Sequence, residues 1–72
     1  MRRKIIELME EIFDVPAGTI TEETCADDLE EWDSLGHLML MDELKNRLDI
    51  EIPMDEMADI SSVLGLFEKA EV

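Results

Sequence analysis

A chain of 72 residues is one domain, near the lower size limit for a self-supporting core, and its single cysteine, Cys25, leaves no intrachain disulfide to help. Apolar residues at 46% exclude a disordered chain, while 20 acidic against 6 basic residues give a net charge of −14 that repels nucleic acid and anionic lipid headgroups. The same charge favours partner proteins with basic patches, keeps the chain monomeric, and makes stability sensitive to salt and to millimolar divalent cations.

The basic start, Met1-Arg2-Arg3-Lys4, has the character of a signal peptide's opening, but Glu7, Glu10 and Glu11 interrupt the apolar stretch that would have to follow. No run approaches the about 20 apolar residues of a membrane helix; the longest is Leu38-Met39-Leu40-Met41. A soluble, cytoplasmic protein is expected.

Ile5, Leu8, Met9 and Ile12 recur at helical spacing, with Ile6 and Phe13 widening the stripe, and predict a first helix over 2–13. Pro16 and Gly18 end it. From Asp14 to Asp33 no period holds for long. Thr21 before Glu22 and Glu23 can start a short turn of helix. Val15, Ile20, Leu29 and Trp32 are the apolar residues expected to anchor this long loop to the helices.

Asp33-Ser34 is a helix-start signal, with serine as the cap and the acid beside it complementing the helix dipole. Leu38, Met41, Leu44 and Leu48 then fall on one face, widened by Leu35 and Met39, and predict a second helix over 34–48. Ile50-Glu51-Ile52-Pro53 breaks the period. A short turn follows through 54–58. Ser61 or Ser62 can cap a last helix whose inner face is Val63, Leu66, Phe67 and Ala70. The six methionines read as gap-fillers of an adaptable core. The expected fold is all-α: a small four-helix bundle of three main helices and one short helix, one domain over 1–72, with a long loop between the first two helices.

Ser34 is the residue with chemical potential. At the head of a helix, backbone N–H groups converge at the positive end of the dipole, a place that stabilises a phosphate ester on the serine oxygen. Asp28-Leu29, Asp33-Ser34-Leu35, Ile50-Glu51-Ile52-Pro53 and Ile60-Ser61-Ser62-Val63 occur in that order and at spacings that resemble the acyl carrier protein family across essentially the whole chain. The resemblance implies that a phosphopantetheinyl transferase attaches 4′-phosphopantetheine from coenzyme A to Ser34. The arm's thiol would then carry acyl or aminoacyl groups as thioesters. It implies a role for Asp33 at the transferase's metal-bearing site during loading, and apolar partner contact at Leu35. Asp42 and Glu43 on the second helix would meet basic patches on acyl-loading and acyl-using enzymes. The chain itself would not be an enzyme and would bind no metal.

The chain departs from the family's fatty-acid type. Glu30-Glu31-Trp32 precedes Asp-Ser where a small pair is usual, and Gly36-His37 follows Leu35 where acids are usual. Trp-Asp-Ser-Leu-Gly-His is more like stand-alone carriers of specialised lipid or secondary-metabolite pathways. An unloaded acidic adaptor with the same fold is the alternative reading.

His37, one turn after Ser34, lacks the third group and the oxyanion donors of a nucleophilic site. It reads as a surface residue before a contact to the arm's phosphate or to a partner. Trp32 reads as a loop anchor before a docking residue. Cys25, among acids that disfavour its thiolate, reads as a small, partly buried packing residue. The seven acids from Glu22 to Asp33 do not fit the EF-hand pattern.

Overall fold

The computed structural model describes residues 1–72. In chain order it contains α1 (Arg2–Phe13), a single 3-10 turn (Ala26–Asp28), α2 (Ser34–Leu48), α3 (Met54–Met57) and α4 (Val63–Ala70). There is no sheet; one isolated antiparallel bridge joins Cys25 to Ser62. The all-α expectation holds, with three longer helices and one short one. The Thr21–Glu23 segment forms a turn, closed by the Thr24 amide on the Thr21 carbonyl, and the one helical turn of this loop lies at Ala26–Asp28 instead.

One core serves the whole chain. Ile5, Leu8, Met9 and Phe13 of α1 meet Leu40 and Leu44 of α2 and Val63, Leu66 and Phe67 of α4. Burying each such side chain contributes roughly 1.5–3 kcal/mol, so these three helices carry the fold. α3 has no buried residue and rides on them.

The long loop is tied down from both ends. Ile20 and Trp32 enter the core, and Val15 and Leu29 pack against it as partly buried residues. At the start of the loop the carboxylate of Glu10, itself buried, accepts from the Gly18 amide at 2.8 Å and the Ile20 amide at 3.1 Å. Those two bonds meet amide donors that Pro16 and the turn leave without a helical partner. Further on, the Ala26 amide donates to the Ser61 carbonyl at 2.8 Å and the Val63 amide to the Thr24 carbonyl at 2.9 Å. These bonds lash the loop to the head of α4. There Ser62, rather than Ser61, is the cap, accepting from the Gly65 amide at 3.0 Å.

Three expectations are corrected. The cap of α2 is Asp33, whose Oδ1 accepts from the Gly36 amide at 2.8 Å, and Ser34 is the first helical residue. The inner face of α2 is Gly36, Leu40 and Leu44, while Leu35, Leu38 and Met39 are exposed and Met41 and Leu48 half-buried. α2 is apolar around most of its circumference, so period alone offered two rows sharing Leu44. The row with glycine at its head wins because α2 starts hard against the Glu31 carbonyl and the Phe13 ring, where no side chain fits. Cys25 is exposed. About the bridge to Ser62, side chains alternate, and it is Thr24 that turns inward, with its hydroxyl accepting from the Thr21 amide at 2.9 Å.

Candidate functional site

Ser34 lies at the first position of α2 with its side chain exposed. The geometry separates two tasks that sequence reading had merged. Asp33 takes the capping bond, so the Ser34 hydroxyl is not committed to holding the helix start. The His37 amide donates to the Asp33 carbonyl at 2.8 Å and the Gly36 amide to its carboxylate. The amides of Ser34 and Leu35 are left without a partner in the chain. Two open N–H groups at the positive end of a 15-residue helix stand beside a free hydroxyl. That arrangement suits a phosphate ester on the serine oxygen.

Two hollows adjoin Ser34 and its helix. A shallow one of about 300 Å³ is lined by Ala26, Trp32, Asp33, Ser34, His37 and Ile60. An open groove of about 480 Å³ runs between α2 and the 51–57 segment, with Leu38, Met41, Ile52, Met54 and Met57 among its walls. Of its apolar walls, Leu38 is 53% and Met54 78% exposed, and Leu35 on the same helix is 66% exposed. The exposed α2 surface after Ser34 is therefore apolar as far as Asp42, while Glu30, Glu31 and Asp33 keep the side before it acidic.

The two α2 acids differ. Asp42 is exposed and engages no ion pair within the chain. Glu43 is half-buried and pairs with Arg47 Nε at 2.7 Å, while Arg47 Nη1 donates to Glu11 of α1 at 3.0 Å. This triad holds the Arg47 guanidinium above its usual pKa, first through the hydrogen bond and charge of Glu11 and then through Glu43. Glu43 is thus engaged within the fold, whereas Asp42 has no ion-pair partner in the chain.

His37 is not a plain surface residue. Its Nδ1 accepts from Trp32 Nε1 at 2.9 Å and its Nε2 lies 2.8 Å from the Met57 carbonyl. An indole N–H only donates and a carbonyl only accepts, so the imidazole is neutral and carries its proton on Nε2. Both ring nitrogens are used, and none remains for an arm's phosphate. Trp32 is buried against Phe13, ring centroids 6.0 Å apart, and is the loop anchor expected of it. Sequence reading missed Gly36, Glu10 and this use of His37. The Gly-His pair after Ser34 was the local signal for two of them, and Glu10 had none.

No group of three or more His, Cys, Asp or Glu side chains converges so as to hold a metal ion. No helix is long and apolar enough to cross a membrane. An exposed serine with open amides, beside hollows that could receive a long substituent, fits a flexible prosthetic arm. No curated protein matches the chain. Its fold is similar to the solution structure of a holo acyl carrier protein from Geobacter metallireducens. The TM-score is 0.84 at 26% identity, covering 97% of this chain and 80% of that one. The sequence model of the phosphopantetheine attachment site family matches residues 3–68. The chain therefore belongs to the phosphopantetheine attachment site family, as a carrier of covalently attached 4′-phosphopantetheine and not an enzyme.

Proposed function

We propose that Ser34 is the attachment residue and that the carried groups are acyl chains of a specialised lipid or secondary-metabolite pathway. The observation that carries the first half is the division of labour at the helix start: Asp33 caps, and Ser34 is left exposed beside two open amides. When bound, the arm supplies a terminal thiol that holds cargo as a thioester. The chain's own residues do the rest. The Ser34 and Leu35 amides favour the phosphate, and Asp33 offers its second carboxylate oxygen to the transferase's metal-bearing site. Leu35 gives partners an apolar foothold, and Asp42 and Glu43 meet their basic patches, Asp42 more freely.

The groove favours alkyl cargo over aminoacyl cargo, because its Leu38, Met41, Ile52, Met54 and Met57 walls offer apolar area and adaptable thioether side chains. The apolar face after Ser34 fits partners unlike those that read a purely acidic helix, which is the ground for a specialised pathway. The protein is expected to work as a cytoplasmic monomer. Comparing arms that carry a medium-length alkyl chain with arms that carry an amino acid tests the cargo. Methyl resonances of Leu38, Met41 and Met57 should shift with the alkyl chain and stay in place with the aminoacyl group. Unmoved resonances in both would contradict the alkyl reading.

A further inference from the structure

α3 is the least secured element of the molecule. It has four residues and no buried side chain, and so short a helix does not persist by itself in water. Its ion pair, Lys69 to Glu56 at 3.6 Å, is long and half-open to solvent and adds little. Ile60 beyond it is buried, and Ile52 before it packs partly on the core. Between those two anchors, the side-chain hydrogen bond holding α3's backbone to the rest of the fold is His37 to the Met57 carbonyl.

That bond is the end of a relay. Phe13 of α1 stacks on Trp32 of the loop, and Trp32 stacks on His37 of α2 with ring centroids 6.2 Å apart. Trp32 donates to Nδ1, which fixes the ring's proton on Nε2, and Nε2–H donates to Met57. Each bond thus sets the direction of the other. The buried Trp32 N–H needs this acceptor, since a buried donor without a partner is costly. The Met57 carbonyl also accepts from the Ile60 amide at 3.2 Å, using its second lone pair to close the turn that follows α3.

We infer that His37 is a positioning residue: it latches α3 to the head of α2, one turn beyond Ser34, and so sets the width of the groove whose far wall carries Met54 and Met57. Release of the latch lets that wall swing out on its Ile52 and Ile60 anchors while the α1–α2–α4 core stays closed. The inference stands whether or not the groove receives cargo, so it fails separately from the functional reading above.

Amide hydrogen exchange on the whole chain tests it, with His37→Leu and His37→Gln. Glutamine has an oxygen to accept from Trp32 and an NH₂ to donate to Met57; leucine has neither. In His37→Leu the Met57, Ala58 and Ile60 amides should exchange about tenfold faster, the loss of one net hydrogen bond. The Leu40 and Leu44 amides should be unchanged. His37→Gln should restore most of the protection. The wild-type imidazole should show the nitrogen shifts of the neutral Nε2–H tautomer. Unchanged α3 exchange in His37→Leu would overturn the latch, as would equal acceleration throughout the chain. The Nδ1–H tautomer in the wild type would overturn it without any variant having to fold.

Discussion

Asp33 caps α2, and a pair of substitutions separates that role from the loading role proposed for its charge. Asparagine is as good a cap as aspartate but has no charge to offer a metal. Asp33→Asn should therefore keep the wild-type denaturation midpoint while slowing loading by a transferase. Asp33→Ala should lose about 1 kcal/mol of stability as well. Equal loading by Asp33→Asn and the wild type, read by mass at early times, would confine Asp33 to its capping bond. At this scale the sequence pointed to one candidate residue, Ser34, and was poor about spatial neighbours. Ser34 could be singled out because its neighbours in the chain are also its neighbours in space. The role of His37 could not, because Met57 lies 20 positions away and only the fold brings the two together. The buried Glu10 was hidden for the same reason: an acid in an amphipathic helix reads as solvent-facing until the loop folds back onto it.

The element boundaries were legible because they are punctuated. Left-handed Asp14 closes α1 just ahead of Pro16 and Gly18, Asp33 opens α2 and Pro53 opens α3. The face of α2 was not, since a helix apolar on most sides contains more than one plausible row. Gly36 decides it, and this yields a prediction about how α1, α2 and the loop meet. Alanine in a helix normally improves on glycine by about 1 kcal/mol. Here a Cβ would overlap the Glu31 carbonyl and press on Phe13 Cε1 at 3.0 Å. The Glu31 contact is backbone and cannot rotate away. Gly36→Ala should therefore destabilise the protein by about 1–3 kcal/mol in chemical denaturation, against the helix-propensity trend. A gain in stability would show that the head of α2 is free to lift from the loop.

Over the whole molecule, charge is the dominant feature. Six basic residues cannot offset 20 acids, and the ion pairs of Arg2, Arg3, Lys45, Arg47 and Lys69 lie at the surface, where each is worth little. Because no cluster of ligands converges on one point, divalent cations should act diffusely, by accumulating at the strongly acidic surface beyond what ionic strength alone supplies. Millimolar Mg²⁺ should raise the melting temperature at matched ionic strength, by roughly 4–8 °C for each kcal/mol gained. No change would mean that the acids are already far enough apart to coexist. The surface is acidic overall, with an exposed apolar stretch on α2 after Ser34 at Leu35, Leu38 and Met39.

In the function proposed for it, this small core holds one serine, Ser34, at an open helix head for a prosthetic arm. Intact mass before and after incubation with coenzyme A, Mg²⁺ and a broad-specificity phosphopantetheinyl transferase tests it most directly, with Ser34→Ala alongside. The wild type should gain one phosphopantetheinyl group and the variant none. A folded wild type that gains nothing, or a Ser34→Ala variant that still gains the group, would contradict the account.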